Sequence, residues 1–180
     1  MDFKNSIVGD KAKFGGNVTV GYFNIIHDNV VIGDNVEIGN YCVIHGDVKI
    51  GKGTVVKDYV ELRSGTSIGS DCYIDSRVSS SGQCTIGNTV TIRYDSIIAR
   101  GVEIGDDSYI CPRVMTNNLD TEKEQIGGAK FGSNCFIGTN AVIQHGLKLG
   151  NDVVVGSMSF VNKDCVDKGV YVGMPARKIR

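Results

Sequence analysis

Val31–Ile50 reads VIGDNVEIGNYCVIHGDVKI. Ile32, Ile38, Ile44 and Ile50 fall six residues apart, and Val36, Cys42 and Val48 follow each of the first three by four. No helical period of 3.6 produces that beat, and a plain two-residue alternation fails because glycine and polar pairs interrupt it. The beat extends both ways. Val8, Phe14, Val20 and Ile26 precede it; Val56, Leu62, Ile68, Ile74, Ser80, Ile86, Ile92, Ile98, Ile104 and Ile110 follow it. Only Ser80 breaks the apolar series. The second column stays small or β-branched from Ala12 to Val114, except at Asn24. The period predicts short strands joined by tight turns. Three sides close a triangular coil of eighteen residues, and coils stack at about 4.8 Å with both columns inward.

The totals agree. The chain has 180 residues, 24 glycines, two prolines, no tryptophan and a net charge of −1. That profile suits β-branched strands and glycine turns. It gives no basis for bulk attraction to nucleic acid or an anionic membrane. No apolar run is long enough for a transmembrane helix. The start, MDFKNSIVGD, lacks the apolar stretch of a secretory signal. Cys42, Cys72, Cys84, Cys135 and Cys165 take inward small positions, and Cys111 follows Ile110 on a turn. None forms a Cys-x-x-Cys pair, so the expectation is six free thiols in a reducing cytoplasm.

Residues eighteen apart stack, so each corner can be followed up the coil. One corner carries Gly15, Gly33, Gly51, Gly69, Gly87 and Gly105 directly after the apolar residue. It is expected to be a plain turn that uses the permissive φ of glycine. A second carries Gly9, His27, His45, Arg63, Ser81 and Ala99. The third carries Gly21, Gly39, Lys57, Asp75, Arg93 and Cys111, and two places later stacks Phe23, Tyr41, Tyr59, Arg77, Asp95 and Arg113. These are the glycine, histidine and aromatic corners below. Asp95 is expected between two arginines, in the unusual turn Arg93-Tyr94-Asp95. Decoration of two corners predicts a ligand or partner there. The repeat breaks once, at Thr116–Lys130 (TNNLDTEKEQIGGAK), beside the decorated corners and in the coil above Asp95, which it is expected to roof; long excursions from regular scaffolds are usually functional.

The period resembles the hexapeptide-repeat, left-handed parallel β-helix family. The likeness covers Val8–Met115 and resumes from Phe131 to Val166 in FGSNCF, IGTNAV, IQHGLK, LGNDVV, VGSMSF and VNKDCV. It implies an all-β domain over 1–166 of about eight coils, left-handed winding, a loop insertion at 116–130 and a C-terminal tail over 167–180 that contributes to a coenzyme A site. Left-handedness comes from the resemblance alone, because it runs against the usual crossover rule. The resemblance also implies a homotrimer with active sites between subunits.

The end of the chain, with IGTN, GSMSFVNKD and GMPARKIR, resembles the acetyl-CoA half of galactoside and maltose O-acetyltransferases. That match implies that Thr139, Ser157, Asn162 and Lys163 line acetyl-CoA while Arg177 and Arg180 hold its phosphates, as arginine forks suit phosphate. IRYDSIIARGV, ICPRVM and TNN resemble acetyltransferases acting on nucleotide-linked amino sugars. They imply an acceptor site with Arg77, Arg93, Tyr94, Arg113, Asn117 and Asn118, and Asp95 beside the reacting amine. The loop has no histidine to serve as base for a hydroxyl, which favours N-acylation by direct attack, for surface polysaccharide. His145 is the reserve base. Two arginines would make Asp95 a weak proton acceptor, so a salt-bridge rung is the alternative. His27 and His45 are expected to contact a nucleotide or a subunit interface.

Three other readings remain. A sugar O-acetyltransferase shares the donor half. A γ-class carbonic anhydrase shares the fold and binds zinc through three histidines, but its H-x-x-x-x-H pair is missing, so no metal is expected. A non-catalytic scaffold would need neither the loop nor the phosphate arginines.

Overall fold

In the computed structural model, residues 3, 5–124 and 126–180 are described. Their backbone enters the left-handed region once every six residues. Asn29, Asn35, Tyr41 and Asp47 have φ of 56–62°, three positions after Ile26, Ile32, Ile38 and Ile44. Each such residue bends the chain from one two-residue strand into the next, for example from Val31–Ile32 to Glu37–Ile38 to Val43–Ile44.

Among the described residues the strands form three sheets of nine, eight and ten strands. The first sheet runs from Ile7–Val8 to Phe160–Val161 and the second from Lys13–Phe14 to Lys148–Leu149. The third starts at Thr19–Val20 and ends in a hairpin, Gly169–Gly173 with Ala176–Lys178. Every pairing is parallel except that hairpin. The chain is therefore a left-handed parallel β-helix of nine turns, one more than the sequence suggested. The last turn closes through the hairpin, which pairs with Val153–Val155.

Both columns point inward. Ile26, Ile44, Leu62, Ile74, Ile92, Ile98 and Ile110 are almost fully buried. The polar members of the small column are buried as well, and they have a task. Asn24 donates from Nδ2 to the Gly39 carbonyl (2.9 Å) and accepts the Cys42 amide at Oδ1 (2.8 Å). Thr54 makes the same pair with Gly69 O and Cys72 N, and Ser96 with Cys111 O and Val114 N. Each ties a turn to the coil above, where backbone groups would otherwise lack partners. Cys42, Cys72, Cys84 and Cys135 use Sγ in the same direction, at 3.0–3.2 Å from the carbonyls of Lys57, Gly87, Ala99 and Gly150. Burial pushes the Cys42 thiol up to about 11, so it stays a weak donor and not a nucleophile. Cys111, expected to be a turn residue apart from the others, is buried too, beside the Thr139 hydroxyl.

Two expectations about backbone need correction. The glycine-corner residues do not carry the positive φ; that falls two places later, on Asn17, Asn35, Gly53, Asp71, Thr89 and Asp107. Glycine is needed there because coils touch. A Cβ on Gly33 would lie 2.7 Å from the Lys52 amide, and one on Gly51 2.5 Å from the Gly69 carbonyl carbon. The excursion is also narrower than expected. Thr116 lies in a strand with Met115 and is buried, and Lys130 opens the strand Lys130–Phe131. Strand partners are 27 residues apart across it, as in Glu103↔Lys130, against 18 apart elsewhere, as in Thr85↔Glu103.

Candidate functional site

The first sheet lies between the two decorated corners. Chain order makes this plain: the aromatic-corner turn 93–95 leads to the strand Ile97–Ile98, which leads to the histidine-corner turn 99–101. Outward on this sheet point Ile7, Ile25, Val43, Ile97, Met115, Val142 and Phe160, with Ile7, Ile25, Ile97 and Met115 exposed. The second sheet instead presents Lys13, Lys49, Glu103, Lys130 and Lys148. Glu61 and Ser79 interrupt the apolar row of the first sheet, and the third sheet also turns Val55, Tyr73, Tyr109 and Phe136 outward, so apolar side chains face out on both sheets that meet at the aromatic corner, a pattern that marks this side for contact.

The aromatic corner places large side chains at its left-handed position. Phe23, Tyr41, Tyr59, Arg77, Asp95, Arg113 and Met158 have φ of 56–61°. A bulky residue is disfavoured in this region, and the glycine corner uses Asn, Gly, Asp and Thr at the same place. Phe23 stacks on Tyr41 at 5.2 Å and Tyr41 on Tyr59 at 5.1 Å, with Tyr22 beside them. All four rings are about half exposed. Sequence reasoning put three of them in one column but assigned them no part in the site.

Above this ladder stands Asp95. Its Oδ1 accepts Arg77 Nε at 2.6 Å, Oδ2 accepts Arg77 Nη2 at 3.4 Å, and Arg113 Nε lies 3.9 Å from Oδ2. The Arg77 hydrogen bond, aided by the charges of Arg77 and Arg113, holds the Asp95 carboxyl below the usual aspartate range. The expected rung between two arginines is there, tight on one side and loose on the other. Arg113 also lies 6.0 Å over the Tyr94 ring. Arg93 turns away from this group. Its Nε donates to Asp75 Oδ2 (2.9 Å) and its Nη1 to the Tyr109 hydroxyl (2.9 Å), on the third sheet. Its fork is therefore already engaged, although the sequence placed Arg93 with the acceptor residues.

The excursion leaves from the histidine corner, not from above Asp95. Asn117 donates its amide to Ile143 O (3.0 Å), and the Asn118 carbonyl accepts the amides of Ile126 and Gly127. Asn117 and Asn118, with Ser81, Ala99, Thr116 and Leu119, line a cavity of about 280 Å³. One coil higher, the turn Gln144-His145-Gly146 closes on the stem of the excursion through Gly146 N and Gly127 O (3.0 Å). Within one chain Asp95 and His145 therefore occupy different corners, with the first sheet between them. Lower on the histidine corner, His27 and His45 stack at 5.1 Å, and His45 Nε2 meets Glu61 Oε1 at 3.2 Å.

The expected donor residues fall into three places. Thr139 and Ser157 sit on the aromatic corner in successive coils, linked by Met158 N to Thr139 O (2.9 Å). Asn162 and Lys163 sit on the histidine corner. Lys163 shares a cavity of about 220 Å³ with Tyr171 and Arg177, the latter carried by the terminal hairpin. Arg180 borders a separate cavity of about 310 Å³ with Asp152 and Lys168. The side-chain Oδ1 of Asn162 and Nδ1 of His145 are buried without a hydrogen-bond partner among the described residues. Among those residues no three His, Cys, Asp or Glu side chains are grouped to hold a metal ion, and no helix is long and apolar enough to cross a membrane.

The likeness to known proteins follows the coil. The chain is 33% identical over 88 residues to galactoside O-acetyltransferase of Escherichia coli (strain K12), a match covering 44% of this chain and 43% of that one. It is 37% identical over 57 residues to chloramphenicol acetyltransferase of Morganella morganii, covering 32% of this chain and 27% of the relative. These matches thus span less than half the length of the curated relatives. Among solved structures, a UDP-N-acetylglucosamine acyltransferase superposes with a TM-score of 0.86 at 18% identity, over 97% of this chain and 71% of that one. A hexapeptide-repeat-containing acetyltransferase from Vibrio cholerae O1 biovar eltor, complexed with acetyl coenzyme A, gives a TM-score of 0.56 at 25% identity, over 64% of this chain and 70% of that one. Residues 11–46, 29–64 and 128–163, together half of the sequence, match the family described as bacterial transferase hexapeptide (six repeats), and the chain belongs to that family.

Proposed function

We propose that the protein transfers an acetyl group from acetyl-CoA to the amine of a nucleotide-linked amino sugar, in a site assembled between copies of the chain. The observation that carries this reading is the division of residues along the coil. On both decorated corners the expected acceptor residues lie lower, with Asp95 and Arg113 on one and Asn117 and Asn118 on the other. The expected donor residues lie higher, with Thr139 and Ser157 on one corner and Lys163 on the other, where Arg177 of the terminal hairpin borders the same cavity. Two chains that pack through the apolar first sheet would face aromatic corner to histidine corner and complete both halves. Closed cyclic assembly favours a homotrimer, whose mass in solution would be three times 19.3 kDa.

Acetyl-CoA fits the donor end. Lys163, Arg177 and Lys178 meet at one cavity beside Asp164, where three cations against one carboxylate suit a phosphate-bearing ligand. When bound, acetyl-CoA supplies the thioester. Asp95, ionised and held by Arg77, is a poor proton acceptor and serves to orient the amine through its N–H groups. The amine attacks once neutral, and its proton leaves to water.

The test is thiol release from acetyl-CoA across UDP- and dTDP-amino sugars and the matching hydroxyl sugars. Turnover with an amino sugar supports the reading; turnover with hydroxyl sugars alone overturns it. O-acetylation is the second reading, favoured by the match to galactoside O-acetyltransferase. The excursion weighs against it, because the segment from Asn117 to Ala129 holds no histidine. A cytoplasmic setting, where nucleotide sugars for surface polysaccharide are made, belongs to the same proposal.

A further inference from the structure

His145 sits at the junction of the two halves. The coil below its turn carries Asn117 and Asn118, which line the 280 Å³ cavity. The coil above carries Lys163, which lines the 220 Å³ cavity with Arg177. The backbone pins the turn from both sides: Gly146 N donates to Gly127 O, and Gln144 N donates to Val161 O (3.0 Å). A side chain on Gly146 could not be added freely, since its Cβ would lie 3.0 Å from Ile126 Cγ2. The imidazole is thus presented on a fixed turn at the level where an acyl group would pass from donor to acceptor.

Its protonation pattern follows from burial. Nδ1 is sealed and has no hydrogen-bond partner among the described residues. A neutral imidazole carries its proton on one nitrogen, and the other offers a lone pair. A buried N–H without an acceptor is among the rarest features of folded proteins, and an under-used lone pair is better tolerated. The proton therefore belongs on Nε2. A histidine that accepts a proton at Nε2 must start as the Nδ1–H form, normally held there by an acceptor behind it. Among the described residues His145 has no such acceptor.

We infer that His145 acts as a neutral Nε2–H hydrogen-bond donor to the acyl oxygen, and not as the base that the sequence suggested. This rests on the acyl-transfer reading above. As the amine nitrogen bonds to the thioester carbon, the carbonyl π pair moves onto oxygen, and the His145 N–H stabilises that charge. Collapse restores the carbonyl and breaks the C–S bond. The ammonium proton leaves through water, and the thiolate takes up one proton, so amine plus thioester gives amide plus free thiol.

The decisive experiment combines nitrogen NMR with three substitutions in the full-length protein. Long-range ¹H–¹⁵N spectra of wild type should show His145 as the Nε2–H tautomer. An Nδ1–H tautomer overturns the inference, whatever the variants do. In the thiol-release assay, His145→Gln places an amide N–H where Nε2 stood and should keep kcat within about tenfold. His145→Ala and His145→Asn should lower kcat by about 100-fold or more, with KM for acetyl-CoA within about threefold. Full activity in His145→Ala, or equal loss in the Gln and Ala variants, sinks the donor role. Absence of turnover by wild type on every amine and hydroxyl sugar sinks the acyl-transfer reading, and the donor role falls with it, while the NMR result still decides the tautomer.

Discussion

The glycine corner and the aromatic corner make the same bend with different residues. Both pass through φ near +60° once per coil. The glycine corner fills that position with Asn, Gly, Asp and Thr, and keeps glycine where coils touch. The aromatic corner fills it with Phe23, Tyr41, Tyr59, Arg77, Asp95, Arg113 and Met158, and only at Asn140 uses a residue of the glycine-corner type. Since one corner shows what the turn needs, the other shows what it carries beyond that need. Backbone strain of this kind persists where something else over-determines it. Ring stacking compensates in the lower coils, and the Arg77–Asp95 pair does so above them.

The contrast can be broken most sharply at the glycine corner. Gly51→Val drives a side chain into the Gly69 carbonyl, and should cost about 2–3 kcal/mol in urea denaturation. A loss below half a kcal/mol would mean that coil contact does not select this glycine. The next effect tests the inner polar column shared by the corners. Asn24→Ala leaves Gly39 O and Cys42 N without their partner and should cost about 2 kcal/mol by the same measurement. Smaller and of opposite sign is Met158→Asn, which gives the aromatic corner a glycine-corner residue. It should raise stability by about 0.5–1 kcal/mol and weaken acetyl-CoA binding in calorimetry, because it alters the turn that holds Ser157.

The smallest effect concerns pH. Arg77 lowers the folded-state pKa of Asp95, so the pair's contribution is present above the ordinary aspartate range. It is lost only as pH falls through the lowered value. Carbon NMR of the Asp95 carboxyl should show a midpoint below that of free aspartate, moving up in Arg77→Ala. A midpoint unchanged by Arg77→Ala would remove the ion pair as its cause.

The coil was legible because a strict six-residue beat specifies which side chains face inward. Ile32, Ile38 and Ile44 alone set strands, turns and corners. Stacking by eighteen also places Asp95 between Arg77 and Arg113, where the ion pairs lie. Register says nothing of where a long side chain turns. Arg93 could reach either neighbouring sheet, and its bonds to Asp75 and Tyr109 were invisible in the pattern. Position in the chain misled in a different way. The excursion lies in the coil above Asp95, which suggests a roof over that residue, yet Thr116 continues the series Leu62, Ser80 and Ile98 and so leads into the histidine corner. That signal was present in the register. The glycine corner was right in identity and wrong in cause, because composition cannot separate close approach from positive φ.

The excursion has one further consequence. It adds nine residues to one coil, and the hydrogen-bonded ladder resumes on the other side with its faces unchanged, as Met115↔Val142 and Thr116↔Ile143 show. Each coil touches only its neighbours, and a longer loop costs little closure entropy. The segment thus behaves as a removable part on a frame that does not register its presence. A chain with this piece exchanged for a plain turn would lose the wall of the 280 Å³ cavity and keep the coil, so the shape of this cavity and the folding of the frame can change independently.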